Sequence, residues 1–154
     1  MIQMTKSTRL SKLYKIPVEK IMNREPPLVE KKLPIKATAK ILSKKHHAWV
    51  VEKKGSKKLV GVITEKDFLE ILSPIPNMIY TVGVIEPKSL LHGKFERAED
   101  IMVKNVVKCH PKMTVEEALR LMERHKLRRL AVTENNNIVG ELTISDLINS
   151  YTSR

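Results

Sequence analysis

Two short stretches of this chain set a hydroxyl and a carboxylate three residues apart directly after an apolar run: Thr64-Glu65-Lys66-Asp67 and Thr143-Ile144-Ser145-Asp146. An ionised aspartate only accepts hydrogen bonds, so it can take both hydrogens of a sugar diol. A helix N-terminus offers free backbone N–H groups and a positive dipole end, which suits a phosphate. A threonine hydroxyl can join that cradle. Residues of these types at this spacing could therefore hold the sugar and phosphate of a nucleotide. The same spacing also makes a helix cap, and the residues by themselves leave both readings open.

Other chemistry finds no support. The five glycines form no Gly-x-Gly cluster, which removes a Walker loop and a dinucleotide fingerprint. His46, His47, His92, His110 and His125, with Cys109, show no metal-ligand spacing. His46 and His47 are adjacent and point apart on either a helix or a strand. No nucleophile elbow is present. Trp49, the only tryptophan, reads as a core residue. The sequence is read as non-enzymatic, with no required cofactor and no metal.

The elements that would position the two Thr-x-x-Asp pairs come from a repeat. Val18-Glu19-Lys20-Ile21-Met22 returns 80 residues later as Ala98-Glu99-Asp100-Ile101-Met102, and Gly61 to Asp67 returns 79 residues later as Gly140 to Asp146. Two landmarks at nearly one offset mark a tandem duplication. In the second copy Asn105 to Cys109 is β-prone, and Thr114 with Glu117 forms a capping box. Val115, Ala118, Leu119 and Met122 follow on one helical face. Leu130–Thr133 and Ile138–Thr143 read as strands around the turn Asn135-Asn136-Asn137, and Ser145–Tyr151 as a closing helix. The first copy repeats this order, with a helix near Ile35 to Lys45 behind Pro34, strands around Trp49 to Glu52 and Leu59 to Thr64, and a helix from about Glu65 that must stop near Ser73-Pro74. The sequence thus divides into a basic segment at 1–17, repeats at 18–73 and 98–151, and a linker at 74–97.

The repeated Ile-Met, the Thr114–Met122 helix and the two Gly-x-x-Thr-x-x-Asp endings resemble a tandem pair of cystathionine beta-synthase (CBS) domains, the Bateman module. The resemblance covers Val18 to Tyr151. It implies an α+β fold in which each copy is strand-helix-strand-strand-helix around a small antiparallel sheet, the two packing sheet to sheet with pseudo-two-fold symmetry and clefts between them. It also implies a regulatory module that binds AMP, ADP, ATP or S-adenosylmethionine. By that resemblance the adenine of the second copy would meet Met102, Asn105 and Val107, then Leu127, Arg128 and Arg129, with Ser145 assisting Thr143 and Asp146 near the phosphate. In the first copy the matching positions are Met22, Pro27, His46, His47 and Lys66, with Thr64 and Asp67. The family usually carries proline where Ala131 stands, and the first copy's helix–strand join is about two residues shorter.

Composition bounds the rest. The 154 residues suit one domain or two small units, and 42% apolar content is ordinary for a folded chain. One cysteine excludes an internal disulfide framework and favours a reducing compartment, hence a cytoplasmic location. No apolar run approaches the roughly 20 residues that span a bilayer, and the N-terminal stretch lacks the pattern of a secretory signal. The net charge of +12 is uneven, +10 in residues 1–80 and +2 in 81–154. Such a surface favours an anionic partner, so nucleic-acid binding through the basic half stands as the alternative to nucleotide sensing. Lys6, Arg9, Lys12 and Lys15 recur every three residues beside Leu10, Leu13 and Tyr14, which suits a basic amphipathic helix lying on a neighbour. A homodimer is expected, since one pair leaves helical faces, such as that of Ala118 and Met122, to be shared between core and surface.

Overall fold

The computed structural model describes residues 2–74 and 95–153, with side chains from Thr8 onward. All but the ends of the expected 74–97 linker lies outside the described residues, as do His92 and the Lys6 side chain. The elements run α1 (Ile2–Tyr14), a single 3-10 turn at Val18–Lys20, β1 (Leu28–Glu30), α2 (Ile35–Lys45), β2 (His47–Val51), β3 (Leu59–Thr64) and α3 (Glu65–Leu72). They continue with α4 (Ala98–Ile101), β4 (Lys108–Cys109), α5 (Val115–His125), β5 (Arg129–Glu134), β6 (Asn137–Thr143) and α6 (Ile144–Thr152).

These elements form two compact units. The internal unit is Pro27–Val106; the terminal unit joins Met1–Pro26 to Val107–Arg154. Each holds a three-stranded sheet, β1-β2-β3 or β4-β5-β6. The fold is α+β, but the sheets are mixed rather than antiparallel: β1 pairs parallel with β2, and β4 with β5, while each hairpin is antiparallel. A parallel pair needs a crossover, and α2 and α5 supply it. The first strand of the second copy is shorter than expected. Of Asn105 to Cys109 only the last two residues pair.

Local chemistry accounts for the helices. At α5, Glu117 N–H donates to Thr114 Oγ1 (3.2 Å) while Glu117 Oε2 accepts from Thr114 N–H (3.0 Å), the expected reciprocal box. At α2, Pro34 offers no side-chain cap. Both helices stop on a left-handed residue, His46 (φ 70°) and Lys126 (φ 54°), which returns a backbone N–H to the last turn. Asn135 and Asn136 also take positive φ in the β5–β6 turn, as short amide side chains permit.

The terminal core gathers Val115, Ala118 and Met122 of α5, Leu130 and Val132 of β5, Leu142 of β6 and Leu147 of α6. Ala118 is fully buried and Met122 nearly so, so these two residues of the helical face expected to be shared between core and surface lie in the core. Leu13 of α1 is buried in the same cluster, so the N-terminal helix lies on its own unit through α5 and α6. The internal core is built from Val29, Leu42, Ala48, Val50, Ile63 and Ala98. Trp49 is 2% exposed, as a core residue should be.

One short segment in each unit comes from the other copy. In the terminal unit, Asn23 and Glu141 exchange backbone N–H···O bonds of 2.9 Å in both directions. In the internal unit, Val62 and Val103 do the same at 3.0 and 2.9 Å. Each crossing lays a methionine over a glycine. A Cβ built on Gly140 would lie 2.8 Å from Met22 Sδ, and one on Gly61 would lie 2.6 Å from Met102 Sδ. Close approach is the reason for glycine here. Across the terminal sheet, Arg129 faces Thr143 and Ala131 faces Glu141 on one side, while Leu130, Val132 and Leu142 point to the core.

Candidate functional site

In both units the last strand runs straight into a helix, so the junction threonine ends one element and caps the next. At β6–α6, Thr143 N–H and Thr143 Oγ1 both donate to Asp146 Oδ2 at 2.9 Å, and Asp146 N–H donates back to Thr143 Oγ1 at 3.1 Å. At β3–α3, Asp67 Oδ2 accepts from Thr64 N–H at 2.8 Å and from Thr64 Oγ1 at 3.3 Å. Both Thr-x-x-Asp pairs are therefore caps. The capping bonds use one carboxylate oxygen each, and among the described residues Oδ1 of Asp67 and of Asp146 remains an acceptor for another donor. Capping and ligand holding are compatible. The geometry alone is not diagnostic, because Asp100 at the start of α4 accepts Glu96 N–H (2.9 Å) and Arg97 N–H (2.8 Å) in the same way without following a strand.

Around the start of α6 the fold collects Thr143, Ser145, Asp146, Arg128 and Arg129. Ile144 N–H donates to Arg128 O at 3.0 Å, which ties the exposed Arg128 to the junction, and Arg129 lies across from Thr143. Four cationic or hydroxyl residues, with the Asp146 carboxylate, thus stand at or next to a helix N-terminus, a setting suited to an anion. Leu127 and Val107 are half-buried and pack on the apolar core. Around the start of α3 stand Thr64, Lys66 and Asp67, with His47 paired across the ladder from Thr64. His47 is buried with its ring edge-on to Trp49, centroids 6.0 Å apart at 82°. His46 Nδ1 meets Glu65 Oε2 at 3.2 Å, with both side chains exposed. Pro27 contributes its carbonyl to Trp49 N–H (2.9 Å), and Asn105 is exposed. One concavity of the internal unit, about 440 Å³, is lined by Lys31, Glu52, Glu99, Asp100 and Met102, and of the expected site residues only Met102 reaches it.

The grouping of these residues differs from the sequence reading. Met102 and Asn105 were expected beside Thr143 and Asp146, and Met22 beside Thr64 and Asp67. The structure exchanges them: Met102 and Asn105 belong to the unit of Thr64 and Asp67, and Met22 to that of Thr143 and Asp146. The cause is the pair of backbone crossings, which the hydrophobic pattern of either copy does not reveal. The same crossings bring two residues that sequence reasoning passed over, Asn23 and Glu141. Asn23 Nδ2 donates to Glu141 Oε2 at 3.0 Å, and Glu141 is 4% exposed. The available signal was a carboxylate standing in β6 where the other copy has Val62.

Among the described residues, no group of three or more histidine, cysteine or acidic side chains could hold a metal ion, and no helix is long and apolar enough to cross a membrane. Burial, which leaves Cys109 3% exposed, pushes its thiol up to about 12 and disfavours the thiolate in the folded chain.

A family model described as the CBS domain matches residues 18–74 and again 98–153. The uncharacterized protein YlbB of Bacillus subtilis is 30% identical over 98 residues, covering 64% of this chain and 55% of its own; the chain thus spans about half of that relative's length. A solved CBS domain pair of protein MJ0100, in complex with 5-methylthioadenosine and S-adenosyl-L-methionine, is 26% identical with a TM-score of 0.63, covering 87% of this chain and 98% of that one. CBSX2 of Arabidopsis thaliana in complex with AMP is 20% identical with a TM-score of 0.72, covering 89% and 96%.

Proposed function

Because the chain belongs to the CBS domain family, as two copies in tandem, we propose that it is a regulatory module that senses an adenosine-containing nucleotide. The ligand is AMP, ADP, ATP or S-adenosylmethionine. It is held at the strand–helix junctions, its ribose on Asp67 or Asp146 and its charged end at the helix N-terminus. The observation that carries the reading is that each junction aspartate spends Oδ2 on the cap and keeps Oδ1 for a further donor. A carboxylate oxygen beside free helical N–H groups matches the two ends of a nucleoside phosphate. The adenosine shared by the ligands of the two solved neighbours supports that choice. Arg128 and Arg129 favour the terminal junction for a phosphate, through planar charged forks.

Calorimetric titration with AMP, ATP and S-adenosylmethionine tests this. Saturable binding of at least one is expected; binding of none overturns the reading.

The module acts as a homodimer in the cytoplasm in this reading, passing occupancy to a protein partner. Among the described residues, the exposed large apolar side chains are Leu69 (61% exposed) and Leu72 on α3, Ile144 and Ile148 (55%) on α6, and Val103. Leu69 and Ile148 each stand five residues after their junction threonine, so the repeat presents the same apolar spot twice. Light scattering should give twice the chain mass of 17.7 kDa. A monomer at micromolar concentration removes the dimer.

A further inference from the structure

The hairpin between β2 and β3 differs from its counterpart in length and in charge. In the internal unit Val51 pairs with Leu59 across the seven residues Glu52-Lys53-Lys54-Gly55-Ser56-Lys57-Lys58. In the terminal unit the matching pair, Thr133 and Ile138, encloses only Glu134-Asn135-Asn136-Asn137. The fold closes this hairpin with neutral amides, so it does not call for four lysines. The longer loop is braced all the same. Glu52 N–H donates to Lys58 O and Ser56 N–H to Lys53 O, both at 3.0 Å, Lys58 N–H donates to Ser56 Oγ at 3.1 Å, and Gly55 supplies a left-handed residue (φ 82°). Lys31 and Lys32, just past β1, add two more charges. Lys31, Lys32, Lys53 and Lys54 line one hollow of about 420 Å³ with Glu30 and Glu52, and Lys54 and Lys57 reach a second of about 240 Å³ that shares Glu30 and Lys54 with the first. Lys31 is bonded to Glu52. That bond, with the charges of Lys58 and Lys32 nearby, holds the Glu52 carboxyl below its usual range. Among the described residues no carboxylate pairs with Lys32, Lys53, Lys54, Lys57 or Lys58. In the terminal unit the positions matching Lys31 and Lys32 are Pro111 and Lys112, and Lys112 is held by Glu19 at 2.8 Å.

Five unpaired ammonium groups around two adjoining hollows attract an anion that carries several charges in a row. Each is a lysine, a compact point charge on a flexible stem, which can follow successive phosphates without the fixed fork that arginine brings to a single group. No aromatic side chain lines either hollow, so bases find no stacking platform there. A flat bilayer would meet only the tip of the loop, whereas a strand can lie in the hollow between the loop and the Lys31-Lys32 corner. We propose that this lysine hairpin is a docking surface for the sugar–phosphate backbone of a nucleic-acid strand, held without regard to base sequence. The surface is separate from the nucleotide junction. Strand β3 starts beside the hairpin at Leu59 and ends at Thr64, which puts the two sites at opposite ends of a strand about 17 Å long. Strand docking adds to nucleotide sensing and does not rest on it.

The test is fluorescence anisotropy of a labelled single-stranded oligonucleotide of about 20 nucleotides, titrated with the full chain between roughly 50 and 200 mM salt. Saturable binding is expected at the lower salt. It should weaken about a hundredfold at the higher, since five phosphate contacts to a single strand each add about 0.7 to the slope of log affinity against log salt. Lys53→Gln, Lys54→Gln, Lys57→Gln and Lys58→Gln combined should flatten that slope by about three and leave the melting temperature unchanged. Arg9→Gln, Lys12→Gln and Lys15→Gln combined are the control, removing exposed charge from the N-terminal segment, and should leave the slope where it was. No binding at the lower salt, an unchanged slope in the hairpin variant, or an equal flattening in the control overturns the proposal. Tighter binding to phosphatidylserine vesicles or to inorganic polyphosphate than to the oligonucleotide overturns it too, by giving the surface to a different anion. Calorimetry with AMP on the hairpin variant should match the wild-type chain, and failure of both chains to bind AMP bears only on the adenosine reading.

Discussion

Replacing Asp146 by asparagine removes one negative charge from the start of α6 and keeps the shape of the side chain. In the native junction Oδ2 accepts from Thr143 N–H and Thr143 Oγ1, both at 2.9 Å. The amide oxygen of an asparagine can accept both, so the cap survives in outline. What is lost locally is the favourable meeting of a carboxylate with a helix N-terminus, about 0.3–1 kcal/mol. For a domain of this size that lowers Tm by roughly 1–4 °C. The other side-chain position changes from acceptor to NH2 donor, and a ribose diol then meets hydrogens where it met an oxygen. Losing the charge-assisted bond costs about 1.5–3 kcal/mol, which is roughly ten- to a hundredfold in affinity. Asp100→Asn is the matched control, since Asp100 caps α4 with bonds of 2.9 and 2.8 Å outside any strand–helix junction. Thermal melts and calorimetry with AMP on both variants should show lowered Tm in each and lowered affinity in Asp146→Asn alone. An Asp146→Asn chain that melts lower and binds AMP as tightly as wild type would refute the assignment and leave the aspartate a cap.

Gly140→Ala should destabilise more than Gly61→Ala, in chemical denaturation: the new Cβ at Gly140 meets the Asn23 carbonyl oxygen at 2.8 Å as well as Met22, whereas at Gly61 it meets only the flexible Met102 side chain. Overpacking of this kind costs about 1–3 kcal/mol, and equal losses would contradict the close crossing at Gly140. Met122→Ala should cost about 2–5 kcal/mol, because the side chain is 5% exposed in the terminal core; a loss below 1 kcal/mol would return that face to the surface. Cys109, with its thiol raised to about 12 by burial, should react with a disulfide reagent at pH 8 only as fast as the terminal unit opens, and fast labelling of the folded chain would show the burial to be wrong. Because that pKa is raised in the folded state, the thiol's contribution to stability is complete below pH 9 and is lost as pH rises toward 12. Leu69→Ser with Ile148→Ser should shift light scattering from dimer to monomer without lowering Tm, and an unchanged mass would exclude these helices from the contact.

The repeat made most of the fold legible, since two copies of one pattern report on each other. Thr114 with Glu117, Asn135 with Asn136, and Pro34 at the start of α2 each act through their nearest neighbours, so their effects could be read in sequence order. The parallel pairing of β1 and β4 was hidden, because strands of three and two residues carry too little alternation to fix a direction. The destination of Met22 and Met102 was hidden for a related reason. An apolar residue announces that it will be buried, not which sheet will bury it. Glu141 was not legible because a single charged residue in a strand does not announce whether it faces solvent or a partner such as Asn23.

The crossing of segments also sets an order of assembly. The internal unit is a continuous run, Pro27–Val106, and everything it needs has been synthesised once residue 106 is made. The terminal unit cannot close until Val18–Asn23 meets β6, more than a hundred residues later in the chain. Bringing such distant segments together carries a loop-closure cost that grows only slowly with length but delays the contact. During synthesis the 1–26 segment must therefore wait, its Leu13, Val18 and Met22 without their core, while the internal unit forms between the two halves of its future unit. A nucleotide that bound the completed terminal junction would fasten together segments made more than a hundred residues apart.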